Sequence, residues 1–294
     1  MKYYFDSGDD WTGKSLGVFL RKRCMLSASL VRSLKAEDGI FVDDVPRHTD
    51  YVMRGTEKVC IVLSEDTGFL SPCGTAVPVE YESDGIIVFN KPAGMATHPT
   101  LNFPDGTLAN VYARMCMERG SSGASFRPVC RLDKNTSGLL PAAKDRYAAG
   151  ILADNHSKEY IAVVQGRVEK DGTVELPIAR GEDSIIRRVI SPNGDYSLTE
   201  YHPIDVSKDF SLLRVITHTG RTHQIRVHMS AIGHPLAGDD MYGGSTLLIS
   251  RHALHCSNLS FFDPSENREI TLSCPLPDDM LRLLERSGLQ QPDL

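Results

Sequence analysis

Arg131-Leu132-Asp133-Lys134-Asn135-Thr136-Ser137-Gly138 places an acidic side chain at the entrance of a tight polar turn. A strand-like run, Phe126 to Leu132, leads into it and a second apolar run, Leu139 to Ala143, leads out, so both sides of the turn are held by segments that bury. A turn held in that way can aim a carboxylate. The same residues also suit an ordinary loop, because Asp, Asn, Thr and Ser bond nearby amides and Gly accepts positive φ. Turn chemistry alone leaves a catalytic and a structural Asp133 both open.

A second segment, Thr219-Gly220-Arg221-Thr222-His223-Gln224-Ile225-Arg226-Val227-His228, bears on the choice. Ile225, His228, Met229 and Ile232 recur at helical spacing and Gly233-His234-Pro235 closes the run, which predicts a helix over Arg221 to Ile232. Together the two segments resemble the RluA-type pseudouridine synthases, whose signature is Arg-Leu-Asp-x-x-Thr-Ser-Gly followed far downstream by Gly-Arg-x-His-Gln-Ile/Leu-Arg-x-His. The likeness continues through Asn90-Lys91-Pro92-Ala93-Gly94, His98-Pro99, Lys158-Glu159-Tyr160, Gly233-His234-Pro235, Gly238-Asp239 with Tyr242-Gly243-Gly244, and Arg251-His252-Ala253-Leu254-His255. It spans about residues 84 to 285, in the family's order. Cys130 departs from it, standing where many members carry His or another polar residue.

The resemblance implies the pseudouridine synthase fold and the isomerisation of uridine in ribosomal or transfer RNA. It makes Asp133 the catalytic carboxylate, either attacking C1′ or starting elimination to a glycal. Arg226 is then its cationic partner, Tyr160 stacks on the target uracil, and Arg131 contacts RNA around the flipped nucleotide. The reaction consumes nothing, so neither cofactor nor metal is expected. His218, His223 and His228 are not read as ligands, since 223 and 228 fall on different helix faces and no zinc motif accompanies them.

The 294 residues, 41% hydrophobic and 24% charged, suit a large globular domain with a smaller companion. No run is apolar enough to span a bilayer and the start lacks a secretory core, so a cytoplasmic protein is expected. Seven scattered cysteines form no Cys-x-x-Cys pair and read as buried thiols. The net charge of −6 excludes RNA binding through overall charge, so any such binding rests on local basic surface. Arg21, Lys22, Arg23 and Arg32 provide a candidate. They fall in two short predicted helices, Ser15 to Arg23 and Ser27 to Lys35, followed by a turn at Asp43-Asp44 and a strand at Val59 to Leu63. That order resembles the S-four-type RNA-binding module.

Residues 1–66 are thus assigned to that module, 67–80 to a linker and 81–294 to a catalytic α+β domain with a central, mostly antiparallel mixed sheet flanked by helices. The two domains are expected to be separable. Further strands are expected at Gly85 to Phe89, Tyr160 to Val168, Leu212 to Thr217 and Glu269 to Ser273. Further helices are expected at Thr107 to Arg119, Tyr147 to Asn155 and Asp278 to Arg286. RNA is the expected partner, with neither a membrane nor an obligatory protein partner. Two other functions compete: a glycosidase or nucleosidase drafting Glu159 or Asp239 as its second carboxylate, and a catalytically silent RNA-binding protein.

Overall fold

The computed structural model describes residues 1–64, 70–101, 103–121, 125–182, 184 and 186–292. The N-terminal unit comprises β1 (Lys2–Asp6), α1 (Leu16–Lys22), α2 (Ala28–Ala36), β2 (Ile40–Val42), β3 (Val45–Pro46) and β4 (Lys58–Val62). Its sheet runs β1-β4-β2-β3. Asp43 and Asp44 both take positive φ, 48° and 61°, the geometry that a two-residue hairpin turn demands and that Asp tolerates better than most residues. Ser27 caps α2 by accepting from the Leu30 amide at 3.1 Å.

The proposed boundary at 66 and the first linker residues, Thr67 to Phe69, lie outside the described residues. Residues 70–78 have no regular structure but are fastened to the following helix, where the Asn110 amide donates to the Ser71 carbonyl at 2.7 Å. The large unit begins with β5 (Val79–Glu82) and β6 (Ile86–Lys91), then α3 (Leu108–Glu118), β7 (Arg127–Pro128), β8 (Ser137–Ala143), α4 (Arg146–Asp154) and β9 (His156–Gln165). It continues with β10 (Gly172–Glu175), the hairpin β11 (Ile178–Arg180) and β12 (Arg188–Ile190), and β13 (Leu198–Val206). The last elements are β14 (Phe210–Thr217), α5 (Gln224–Ala231), β15 (Leu254–Asp263), β16 (Arg268–Ser273) and α6 (Asp278–Ser287).

Among the described residues ten of these strands form one sheet, in the order β10-β13-β14-β9-β15-β8-β6-β5, with β16 added to β15 and β7 to β8. Every pairing is antiparallel except the β15–β8 joint, where only His255 with Ser137 and Cys256 with Gly138 are in register. Gly138 takes φ 109° there, and its Cα lies so close to the Cys256 backbone that no Cβ would fit. All seven residues of β8 are buried, which explains its continuous apolar run. The approach to Asp133 is a strand only at Arg127–Pro128, not along the whole of Phe126 to Leu132.

The two units share a core. Tyr147 and Ile151, from the inner face of α4, join Tyr3, Phe19, Leu20 and Ile61 in one buried cluster. The Tyr3 hydroxyl donates at 2.7 Å to Asp145, which itself caps α4, and Arg146 reaches Ser33 at 2.7 Å. Ile151→Ala is therefore expected to cost about 2–5 kcal/mol. Denaturant curves followed by Trp11 fluorescence and by circular dichroism should stay coincident, and an early separate Trp11 transition would show the units to be uncoupled.

Candidate active site

The turn that carries Asp133 is fastened from below. The Thr136 amide donates to the Asp133 carbonyl at 3.0 Å, and the Thr136 hydroxyl meets His252 Nε2 at 2.8 Å. Burial pushes the His252 imidazole down to about 3, so it stays neutral under ordinary conditions. The Lys91 ammonium, fully buried, donates to the carbonyls of Pro92, Met95 and Lys134 at 2.9, 3.0 and 3.1 Å. Burial pushes this amine down to about 7. Arg251 binds the Asn135 carbonyl at 3.1 Å and is itself gripped by Asp279 at 2.6 Å. The turn is polar in composition but anchored like core.

Asp133 opens onto a cleft of about 470 Å³, within the range of small-ligand sites. Its Oδ2 accepts from Arg226 Nη1 at 3.1 Å and lies 3.8 Å from His223 Nε2. Arg226 is 6% exposed, because α5 is enclosed by the sheet, the cleft and the β11–β12 hairpin. Its other edge is held by Asp239, with Nε to Oδ2 at 2.7 Å and Nη2 to Oδ1 at 2.8 Å. Such a two-pronged pair fixes the plane of the guanidinium and leaves one prong for Asp133. Against the cost of burial, Asp239 and then Asp133 hold the Arg226 cation above its ordinary pKa.

The helix starts three residues later than its sequence pattern predicts. His223 precedes it in the left-handed region at φ 58°, so the helical run begins at Gln224. Gln224 is buried and bonds the Thr219 hydroxyl at 2.7 Å and the Leu198 carbonyl at 2.9 Å, which ties the entry of α5 to β13. Asp239 opens the turn Asp240–Tyr242, whose Tyr242 ring faces the Arg226 guanidinium at 5.0 Å. The Tyr242 hydroxyl meets His223 Nδ1 at 2.9 Å, so one short turn holds both side chains that face Asp133.

β9 forms another wall. Lys158 and Tyr160, two apart, point into the cleft, while Glu159 points to the other face, near Asn258 and Arg214. Tyr160 is 5% exposed, burial raises its phenol above the ordinary value, and Lys158 Nζ lies 5.7 Å from its ring centre. Arg131 and Cys130 also line the cleft, with Arg131 exposed. The structure thus brings Asp133, Arg131, Tyr160 and Arg226 to one place. Arg21, Lys22, Arg23 and Arg32 lie elsewhere, exposed on α1, its end and α2.

The three histidines of the α5 segment diverge. His218 pairs with Glu200 at 3.1 Å, His228 is buried between Thr199 and the Leu176 carbonyl at 2.9 Å each, and His223 faces Asp133. Among the described residues no group of three or more His, Cys, Asp or Glu is placed to hold a metal ion. Asp239 and Tyr242 belong to the Gly238 to Gly244 stretch that shares the family likeness, but nothing in the sequence links Asp239 to Arg226 or Tyr242 to His223.

Residues 85–231 match the RNA pseudouridylate synthase family. Over 243 residues the chain is 36% identical to a Bacillus subtilis protein named an uncharacterized RNA pseudouridine synthase, YjbO, covering 80% of this chain and 86% of that one. The chain belongs to the RNA pseudouridylate synthase family. It is also 38% identical over 230 residues to the ribosomal large subunit pseudouridine synthase D of Zymomonas mobilis, 71% of this chain and 73% of that protein. The human RNA pseudouridylate synthase domain containing 4 shares the fold, with a TM-score of 0.59 at 23% identity over 73% of this chain and 94% of that one. As a member of this family the protein is an isomerase acting on RNA, with the pseudouridine synthase fold expected from its sequence.

Proposed function

We propose that this protein converts uridine to pseudouridine in ribosomal RNA, with Asp133 as the carboxylate that does chemistry. The observation that carries the reading is Asp133 on the cleft, 3.1 Å from an Arg226 that is itself locked by Asp239. In the reaction the N1–C1′ bond breaks, the uracil turns while bound, a C5–C1′ bond forms, C5 loses a proton and N1 gains one. Asp133 either attacks C1′ or removes the 2′ proton. Arg226 gives the carboxylate an opposite charge and a hydrogen-bond donor at 3.1 Å beside the bound nucleotide. Tyr160 offers a ring face to a base drawn out of its helix. Arg131, exposed at the rim, suits contact with the surrounding RNA backbone.

A glycosidase needs a second carboxylate as acid or base. Glu159 points away from the cleft and Asp239 is spent on Arg226, so neither drafted group serves. The relatives named for the ribosomal large subunit favour ribosomal over transfer RNA as substrate. Pseudouridine mapping of total RNA from cells with and without the protein tests this. A position lost only in ribosomal RNA supports it; loss only in transfer RNA, release of free uracil, or no change overturns it.

The N-terminal unit, in its S-four-like order of helices, hairpin and strand, is the proposed dock for the RNA. Arg21, Lys22, Arg23 and Arg32 are exposed and enter no ion pair among the described residues, so their charge is available to phosphate. Each phosphate contact by Lys or Arg releases counterions and steepens the fall of affinity with salt. Neutralising all four should reduce the slope of log K against log salt by about 3 if most of them touch phosphate. Filter binding across a salt series measures it, and an unchanged slope places docking on the cleft alone.

A further inference from the structure

We infer that His223 is a positioning residue for Asp133, held by Tyr242 as the neutral tautomer that carries its proton on Nε2 and presents that N–H to Asp133 Oδ2. The inference rests on the reading of Asp133 as the reacting carboxylate. It goes further by dividing the carboxylate's two oxygens between the protein and the substrate.

The tautomer follows from counting protons. Among the described residues the Tyr242 hydroxyl has two partners, the Arg188 amide at 2.9 Å and His223 Nδ1 at 2.9 Å. A backbone N–H only donates, so the Tyr242 oxygen accepts there. Its own proton then has one acceptor, Nδ1, since Tyr242 is 8% exposed and water offers little. A neutral imidazole that accepts at Nδ1 carries its hydrogen at Nε2. The ring meets Tyr242 edge-on, at 83°, and this orientation turns Nε2 toward Asp133.

The charges around the ring agree. Asp133, Arg226, Asp239 and Arg188 surround it, and burial, ahead of these charges, lowers the imidazole below its ordinary value. A protonated His223 would need both ring nitrogens to donate, and Nδ1 would then face a hydroxyl with nowhere to send its proton. The 3.8 Å gap from Nε2 to Oδ2 exceeds a hydrogen bond, and catalytic contacts of this kind commonly tighten when substrate closes the site. Arg226 and His223 then both engage Oδ2, leaving Oδ1 to face the sugar. The left-handed backbone at His223, a conformation few non-glycine residues adopt but one that His tolerates better than most, is what aims the ring inward ahead of α5.

The test uses the full chain, with ribosomal RNA from cells lacking the protein as substrate. Nitrogen-15 NMR of the histidine-labelled enzyme should show His223 neutral with its proton on Nε2. His223→Asn tolerates the left-handed backbone and still reaches Tyr242, but its amide stops short of Asp133. It should lower kcat about tenfold or more with KM within twofold, the scale of losing a hydrogen bond to a charged group. His223→Gln returns a donor to the Nε2 position and should recover most of that loss. A proton on Nδ1, or full kcat in His223→Asn, overturns the inference, and so does a His223→Gln variant no better than Asn. If Asp133→Asn retains turnover, it is the reading of Asp133 that fails, and the tautomer still reports independently.

Discussion

Asp133→Asn should lower turnover by at least about a thousandfold while leaving RNA affinity within a fewfold of wild type, because an amide of the same size can neither attack C1′ nor remove a proton. The fold tolerates the change. Asp133 is only half-buried, and its backbone contacts, the Thr136 amide on its carbonyl and the anchors at Asn135 and Lys134, do not involve the carboxylate. The side chain does pair with Arg226, yet that guanidinium keeps its two bonds to Asp239. Single-turnover assays with saturating enzyme, beside binding isotherms, separate chemistry from affinity. Turnover within about tenfold of wild type would remove Asp133 from the chemistry.

Asp239→Ala should cost about 3–5 kcal/mol of folding stability and abolish measurable activity, although Asp239 does not touch the nucleotide site. Its side chain is wholly buried, and both oxygens bind Arg226, so truncation strands a guanidinium in the interior with only Asp133 to answer it. The freed cation would also turn its full fork toward Asp133 and alter the plane that the site depends on. Combining Asp239→Ala with Arg226→Met removes the stranded charge and should recover much of the stability without recovering turnover. Chemical denaturation of the single and double variants measures both effects. If Asp239→Ala is as stable as wild type, the buried pair is not what holds α5 in place.

The sequence exposes the parts of the site that are written locally. The Asp133 turn and the helix bearing Arg226 have spacing and composition of their own, and α3, α4 and α6 start and end within a few residues of their patterns. What stayed hidden is non-local. β1 is the partner of β4, about sixty residues on, and its Tyr-Tyr-Phe run carries no alternation to announce it. β13 holds Pro203 beside a register shift, which breaks a simple strand pattern. The helix start at Gln224 was displaced by a backbone choice at His223 that only the Asp133 and Tyr242 contacts explain. Asp239 could be drafted as a second carboxylate but not as the holder of Arg226, because that partner lies thirteen residues upstream on another element. The N-terminal unit reads as separate, yet its core closes on Tyr147 and Ile151.

The cleft straddles the one parallel joint among the described strands of the large sheet, and it is a short one. Asp133 enters from the β8 side and Tyr160 from the β9 side, and between them β15 and β8 share only two register pairs. Backbone ladders are costly to slide, because moving one register inverts a whole face. Two pairs supply little of that resistance. The spacing of the two walls is set instead by side-chain fasteners that never face the cleft: Ser137 with His255 at 2.9 Å, Arg251 across to Asn135 and Asp279, and the close passage of Gly138 against Cys256. The joint is a tuning screw. A substitution at position 255 is expected to alter the aperture offered to a base without replacing any residue that lines the cleft.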